Sequence, residues 1–380
     1  MSTTIKRISL SEAITLQRGF DLPERVRQPG AIPVVASTGI VGYHVEPRVL
    51  GPGVVIGRSG SIGGGQYIDT DFWPLNTTLW VKDFKGHEPR FVYFLLRSID
   101  FSRFNAGAGV PTLNRNHLSS VLVPQFSPDQ EQQIADILSS YDDLIENNRR
   151  RIQLSNKAAQ LLYKEWFVQL RFPGHEHTRI HDGVPEGWQR RPLSALCKSI
   201  DYGHTASAQN EDVGPKFLRI TDIVPPTIDW ASVPHCEIPD GRKSKFLLVP
   251  GDIVIARTGA TVGYAKRLHQ RHPETVFASY LVRLRLNTDV DDILVGVFVE
   301  SDQYKDFVKS QVGGAAQPNA NARVLSAAPF LVPPASLQRV FREQVEPMIE
   351  QSEVLAIQNQ RLREARDLLL PRLINGTITI

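Results

Sequence analysis

Cysteine is scarce: the 380 residues contain two, Cys197 and Cys236. Two thiols are too few for a disulfide framework or a four-ligand zinc site, so both are expected to be small apolar core residues. No stretch approaches the roughly 18 consecutive apolar residues that a membrane-spanning helix requires. The first residues carry charges but no apolar segment behind them, which argues against export and predicts a cytoplasmic protein without a membrane partner.

Neither sign of charge dominates. The 43 Lys and Arg residues against 40 Asp and Glu residues leave a net charge of +3. Nucleic-acid binding would therefore depend on basic residues clustered on particular faces, not on overall charge. A chain of 380 residues exceeds what one core usually holds, and an apolar fraction of 41% can fill two. The composition predicts two globular units.

One pattern is present twice, about 200 residues apart. Residues 52–63 read PGVVIGRSGSIG and residues 250–263 read PGDIVIARTGATVG. Further along, a glycine-rich segment at 107–114 is answered by one at 313–321, and Leu122-Val123-Pro124 by Leu331-Val332-Pro333. Solenoids and propellers repeat every 20 to 50 residues or so, so this longer period indicates duplication of a whole domain with its helix.

A long heptad pattern follows each copy. The first begins at Ser127-Pro128-Asp129-Gln130, which supplies an N-cap hydroxyl, a proline at the first helical position and a capping-box Gln. The predicted seam positions are Ile134, Leu138, Tyr141, Ile145, Asn148, Ile152 and Leu162 in the first helix, and Leu355, Asn359, Leu362 and Leu369 in the second. In the second helix the same stripe begins at Phe341. Alternating spacings of four and three are typical of a coiled-coil seam.

A narrow apolar stripe on so long a helix needs a partner, and the other stripe is the simplest one. The chain returns through a globular segment, so the expected pairing is intramolecular and antiparallel, with Asn148 and Asn359 fixing the register. The alternative is that each helix packs separately on its own domain. Pro347 favours this alternative, because it should kink the second helix or place its start near Met348. A helix of roughly 40 residues spans about 60 Å, or about 17 base pairs.

The remaining segments mix strands with short helices. Strands are predicted over 54–56, 77–81, 253–255 and 280–286, and helices over 90–98 and 293–310. Residues 172–188 are polar and Pro/Gly-rich, as in a joint between the halves. The predicted fold class is α+β, with two tandem pseudo-symmetric mixed α/β domains separated by a long antiparallel two-helix coiled coil. The predicted boundaries are 1–126 for the first domain, 127–170 for the first long helix, 171–334 for the joint and second domain, and 335–380 for the second long helix.

These motifs together point to a family. They are the duplicated arginine loop, Pro185-Glu186-Gly187-Trp188 at the entry to the second half, Leu122-Val123-Pro124 before the capped helix, and the closing LLPRLING at 369–376. In this order, and with the loop twice over, they make the whole chain resemble the specificity subunit of a type I restriction-modification system.

The resemblance implies a non-catalytic subunit with two target-recognition domains, each reading one half of a split sequence in double-stranded DNA. The two helical regions would set the gap between the half-sites and dock methyltransferase (modification) and restriction (translocase) subunits. S-adenosylmethionine, ATP and Mg²⁺ would be bound by those partners. Val54 stands where the second copy has Asp252, and 111–113 differ from 317–319, so the halves are expected to read different half-sites.

The candidate DNA-binding residues lie in the repeated loops. An arginine fork, hydroxyl donors and glycines that allow close backbone approach suit phosphate oxygens or a guanine edge, and amide side chains suit adenine. The candidates are Arg58, Ser59, Ser61, Asn114, Arg115, Asn116, Arg257, Thr258, Thr261, Gln317, Asn319 and Asn321. The glycines would also serve tight turns in any fold, and the amides would also cap their own backbone.

Catalytic and metal-binding patterns are weak. The only Pro-Pro pairs, at 225–226 and 333–334, lack the flanking residues of an amino-methyltransferase motif. Pro239-Asp240 with Lys243 and Lys245 has no second carboxylate at the spacing of a nuclease metal site. The run His175-Glu176-His177, with His181 and Asp182 beyond, is interpreted as a solvated linker and not as a metal site. A second function class stays open, a protein-binding scaffold or adaptor that carries duplicated domains on a coiled-coil rod.

Overall fold

The computed structural model describes residues 6–107, 109–313 and 319–378. Two compact units are present, one formed by Met1–Ile145 with Leu362–Ile380 and the other by Glu146–Arg361. Both mix helices with sheets, so the predicted α+β class is confirmed. Within the described ranges, none of the helices combines the length and apolar character needed to cross a bilayer.

The first unit is built on a four-stranded antiparallel sheet. Its strands lie in the order Thr15–Arg18, Thr78–Asp83, Gly53–Gly57 and Gly63–Ile68. In a three-stranded sheet Ile32–Ala36 lies in the middle and pairs with Gly39–His44 and with Trp73–Pro74, and in a separate pair Arg7–Ser9 lies beside Leu122–Pro124. The short helices are Leu10–Ala13, Glu24–Val26, Pro89–Arg97, Phe101–Phe104 and Arg115–Leu118.

The second unit repeats this plan. Its main sheet has the order Cys197–Tyr202, Leu281–Leu286, Ile253–Ala256 and Ala265–Arg267. The smaller pairs are Gln189–Pro192 with Pro329–Val332, Lys216–Leu218 with Thr275–Phe277, and Ile180–His181 with Val184–Pro185. The short helices are His175–His177, Leu193–Leu196, Ile220–Ile223, Asp240–Phe246, Asp292–Glu300, Asp302–Val312 and Ala322–Leu325.

The strand just before each arginine loop is buried on both faces. In the first unit Val54 and Ile56 join the core under the helix, while Val55 packs in a separate cluster on the other face. In the second unit Ile253 and Ile255 lie in one core and Val254 in another. Continuous β-branched runs are typical of such doubly covered strands. All four predicted strands are confirmed to within two residues at each end.

One of the two predicted short helices is confirmed and the other is wrong. The helix predicted over 90–98 is present as Pro89–Arg97. The single helix predicted over 293–310 is wrong, because two helices, Asp292–Glu300 and Asp302–Val312, meet at Ser301. Ser301 has extended backbone angles, and its Oγ accepts a hydrogen bond from the Tyr304 N–H at 3.3 Å. A serine N-cap therefore ends the first helix and starts the second.

The two long helices span Pro128–Tyr163, continued by a π-helical turn at Lys164–Val168, and Ala335–Ile374. The predicted capping box is present, since Ser127 N–H donates to Gln130 Oε1 at 3.1 Å and Gln130 N–H donates to Ser127 Oγ at 3.3 Å. The second helix begins at Ala335, so of the two effects considered for Pro347 the later start near Met348 is wrong. The second helix continues through Pro347, which is exposed and lacks only its own N–H donor.

The two helices pack against each other in antiparallel fashion. In the second unit Asn148 Nδ2 donates to Asn359 Oδ1 at 3.0 Å, and Ser352 Oγ lies 3.4 Å from Asn156 Oδ1. In the first unit Ile134, Leu138, Leu370, Leu373 and Ile374 share one core. Of the predicted seam positions, Ile134, Leu138, Ile145, Asn148, Ile152, Leu355 and Asn359 are buried, while Tyr141, Leu162, Leu362 and Leu369 are half-buried.

The Asn148–Asn359 hydrogen bond gives a stability prediction. Asn148→Leu removes the donor from a buried carbonyl oxygen, and we expect a loss of about 1 to 3 kcal/mol in the free energy of unfolding. The double variant Asn148→Leu/Asn359→Leu should recover most of that loss, because two leucines pack well in a coiled-coil seam. Urea titration of Asn148→Leu, Asn359→Leu and the double variant measures the coupling. The neighbouring exposed Asn147→Leu is the matched control. A double variant as unstable as the sum of the singles would refute the pairing.

Candidate nucleic-acid interface

The two glycine-rich motifs of the first unit lie side by side. Ser59 forms a bridge with Thr112, and the Leu113 N–H donates to the Arg58 carbonyl at 2.8 Å. The Gly60 N–H donates to the Pro111 carbonyl at 2.9 Å. Residues far apart in the chain therefore form one surface, with Arg58 at its centre.

The second unit forms the same arrangement. Thr258 bridges Asn319, and the Ala320 N–H donates to the Arg257 carbonyl at 2.8 Å. Gly60 and Gly259 both have left-handed backbones, with φ of 82° and 80°. Nothing described lies within 4 Å of where a Cβ on Gly259 would be. The glycine is thus needed for the turn, and the turn is open to a ligand.

The two arginines differ in their surroundings. Arg58 is half-buried, and its Nη1 donates to the Asn76 carbonyl at 3.2 Å. Arg257 is also half-buried, and its guanidinium lies over the ring of Tyr202, with Cζ 4.9 Å from the ring centroid. Its side chain makes no hydrogen bond or ion pair with any residue in the described ranges, and its buried Nε has no partner there.

The asparagines are engaged in helix caps. Asn114 Oδ1 accepts from the Asn116 N–H at 3.0 Å at the start of Arg115–Leu118. Asn321 Oδ1 accepts from the Val324 N–H at 2.9 Å at the start of Ala322–Leu325. Reading adenine through both amide atoms would require each cap to be given up. The structure therefore favours the capping interpretation for Asn114 and Asn321.

The other candidates lie around these turns. Arg115, Asn116 and Asn319 are exposed, as is Ser61, whereas Ser59, Thr258 and Thr261 are half-buried. Gln317 lies outside the described residues. Asp252, one of the differences between the two copies, is only 1% exposed and pairs with Arg285 at 2.7 Å. This buried ion pair supports the fold, so the difference between Val54 and Asp252 does not change the exposed surface of the loops.

Charged networks attach each mixed domain to the long helices of its own unit. In the first unit Asp142 binds Arg366, accepts from the Tyr93 hydroxyl at 3.1 Å and lies 3.5 Å from Arg97. In the second, Arg342 bridges Asp291 and Asp292, which flank the start of a helix. Burial on its own raises the pKa of Asp292, but the positive charges of Arg267 and Arg342 outweigh it and hold the pKa below its usual range.

The joint at residues 172–188 is held at both ends. Phe172 and Trp188 are buried with their ring centroids 4.8 Å apart, and Trp188 also lies 5.7 Å from Phe167. This explains the tryptophan of the Pro-Glu-Gly-Trp motif as a core residue. In the intervening segment, His175 Nδ1 lies 2.9 Å from the Phe172 carbonyl.

The described part of the chain holds no group of three or more His, Cys, Asp or Glu side chains placed to bind a metal. Lys243 of the weak nuclease-like pattern pairs with Glu274 at 2.6 Å. Both cysteines are free thiols, and burial raises the pKa of Cys197 to about 12 and that of Cys236 to about 11. Thiols held in this protonated form suit the core role predicted for them.

Sequence reasoning did not find Tyr202 or Tyr280 as neighbours of Arg257. Tyr202 ends one strand of the main sheet, and Tyr280 immediately precedes another. The Arg257 N–H donates to the Tyr280 carbonyl at 3.0 Å. Only strand pairing brings the three together, and the sequence carries no local signal for that pairing.

Fold and surface together define a class of protein with two copies of one mixed domain, each carrying an arginine loop beside a left-handed glycine, and with two long paired helices. Residues 6–155 match the family model described as the type I restriction modification DNA specificity domain. The chain is 23% identical to the type I restriction enzyme MjaIX specificity subunit of Methanocaldococcus jannaschii, over 78% of this chain and 70% of that protein.

A second relative is the type I restriction enzyme HindI specificity subunit of Haemophilus influenzae, at 22% identity over 83% of this chain and 84% of that protein. The fold matches the crystal structure of the S subunit of a type I restriction-modification system from M. genitalium, with a TM-score of 0.61 and 14% identity over 98% of this chain and 97% of that one. The resemblance to type I specificity subunits is confirmed.

Proposed function

We propose that this chain is the DNA sequence-recognition subunit of a type I restriction-modification complex, and that each mixed domain reads one half of a bipartite target. The observation that carries the proposal is the duplicated open turn. Arg58 and Arg257 occupy equivalent places beside left-handed glycines, on two sheets of the same strand order. Two copies of a cationic fork on a close-approach turn suit two separate contacts on a duplex.

The proposed roles are divided between the mixed domains and the long helices. Residues 1–126 and 171–334 are the recognition domains, while 127–170 and 335–380 are the spacer and dock methyltransferase and restriction subunits. Leu154, Leu161 and Leu368 are 56 to 66% exposed on the long helices, which suits a protein partner on that surface. This chain acts as a non-catalytic reader, and S-adenosylmethionine, ATP and Mg²⁺ are bound by the partners.

Salt-dependent binding tests the proposal against the scaffold alternative. The full chain, assembled with methyltransferase subunits, is titrated onto target and scrambled duplexes at increasing salt. We expect the logarithm of the affinity to fall steeply with the logarithm of the salt concentration, and target DNA to bind at least about 1000-fold more tightly than scrambled DNA. Equal binding to every duplex with a flat salt response would overturn the reader and favour the adaptor.

A further inference from the structure

We propose that Tyr202 is a positioning residue that holds Arg257 in place to read a guanine edge in one half-site only. The inference rests on the proposed function and adds the identity of a base contact. Its structural basis is the stacked pair, in which the guanidinium carbon of Arg257 lies 4.9 Å from the centre of the Tyr202 ring. Tyr202 remains 43% exposed, so a ligand can reach the pair.

Both residues of the pair are held in place by hydrogen bonds to the surrounding backbone. Tyr202 is held in place as the last residue of a strand, and its hydroxyl also accepts a hydrogen bond from the Ala322 N–H at 3.0 Å. The Arg257 backbone donates to the Tyr280 carbonyl at 3.0 Å and accepts from the Ala320 N–H at 2.8 Å. The arginine is therefore held at its backbone and over its flat face, and its orientation is set before any ligand arrives.

The N–H donors of Arg257 indicate which kind of ligand it can bind. Its Nε is buried, and the guanidinium donates to no residue that the structure describes, so both terminal amino groups are available. A planar fork with two parallel N–H donors matches two acceptors side by side. The guanine edge offers O6 and N7 in this arrangement in the major groove, and arginine to guanine is the commonest specific contact.

The described residues of the first unit show no such stacked pair at Arg58. Arg18 pairs with Leu79 on the outer strand of its sheet, in the place where Tyr202 pairs with Val282. The equivalent position thus carries an exposed arginine and no ring. In addition, one N–H donor of Arg58 is already hydrogen-bonded to the Asn76 carbonyl. Loss of Tyr202 should therefore change the half-site read by the second domain and leave the other unchanged.

The test uses the full chain assembled with its methyltransferase subunits and maps methylated adenines in a DNA library with randomised half-sites. Tyr202→Leu removes the ring, Tyr202→Phe keeps it, and Arg257→Lys keeps the charge but loses the fork. Tyr202→Leu and Arg257→Lys are expected to reduce the preference for guanine at the same single position by about 10-fold or more. Tyr202→Phe should keep most of the preference, and the exposed Tyr43→Leu in the first unit should change nothing.

The outcomes separate the inference from the proposed function. A uniform loss of affinity on all sequences, with a shallower salt response, would assign Arg257 to a phosphate and overturn the inference. A half-site without guanine, or relaxed preference in both half-sites, would overturn it while the reader function stands. Failure of the unaltered complex to prefer any sequence would instead refute the proposed function. If Tyr202→Leu does not fold, Arg257→Lys still tests the guanine contact, because it leaves the ring in place, and an unchanged guanine preference in that variant would overturn the inference.

Discussion

Phe341→Ala is expected to destabilise the second unit by about 3 to 5 kcal/mol. The side chain is fully buried on the second long helix, and its ring centroid lies 5.0 Å from Phe167 and 5.8 Å from Trp166. The ring of Tyr163 is also near, at 6.3 Å. Truncation removes buried apolar area and leaves a cavity among large, rigid rings that cannot collapse to fill it.

Urea titration of the full chain measures this loss, and hydrogen exchange assigns it to Glu146–Arg361. The matched control is Val340→Ala on the preceding residue, which is 40% exposed and should change the free energy of unfolding by less than about 1 kcal/mol. A loss below about 1 kcal/mol for Phe341→Ala itself would show that the aromatic cluster does not hold the helices together.

Glu353→Gln is expected to stabilise the protein at pH 8 and to leave its stability unchanged at pH 4. Burial is the main cause that raises the pKa of Glu353 to about 7, from an ordinary value of 4.5. Its carboxylate lies 3.4 Å from His269, and burial with the charge of Arg267 lowers the pKa of that imidazole to about 3. The charged groups that act on Glu353 are Lys266, Glu300, Arg267 and Arg271.

The direction in which Glu353 changes the free energy of unfolding with pH follows from the protons that the folded and unfolded states bind. Between about pH 4.5 and pH 7 the folded state holds the Glu353 proton while the unfolded chain has lost it, so this group's contribution to stability falls as the pH rises. The lost amount is roughly 3 kcal/mol at most. His269 is buried in its neutral form, so its contribution to stability rises with pH, opposite to that of Glu353. Both the wild type and the variant contain His269, so the difference in stability between them isolates Glu353.

Thermal unfolding at pH 4, 6 and 8 measures that difference. Glu343→Gln, on an exposed position of the same helix, is the control and should give a constant difference across the series. A Glu353→Gln variant that is less stable than wild type at pH 8 would mean that the carboxylate is charged and usefully paired, contrary to this account.

Local sequence signals predicted the elements that depend on local physics. The β-branched runs at 54–56 and 253–255 are strands because both of their faces are buried. The heptad spacing predicted the two seams, and the return of the chain through a globular segment predicted their antiparallel pairing; Asn148 and Asn359, predicted to fix the register, are hydrogen-bonded to each other. These features are periodic, and periodicity can be read without knowing what lies opposite.

Features that depend on long-range packing were missed. Pro347 argued for a later helix start, yet the second helix continues through it because the burial of Phe341 and Val345 holds the preceding turns. The sequence could not distinguish a base-reading Asn114 from a capping one, since both need the same exposed amide. The stacking of Arg257 on Tyr202 depends on strand register, which no local motif encodes.

We propose that the two helical regions set the distance between two independently read half-sites. One heptad inserted after Arg150 and one after Ala356 lengthens both helices by about 10 Å, or about three base pairs. Mapping of methylated adenines with the altered chain in its complex should show a longer gap of up to about that size and both half-sites unchanged. A changed half-site with the original gap would contradict the account, because the helices would then not measure the separation.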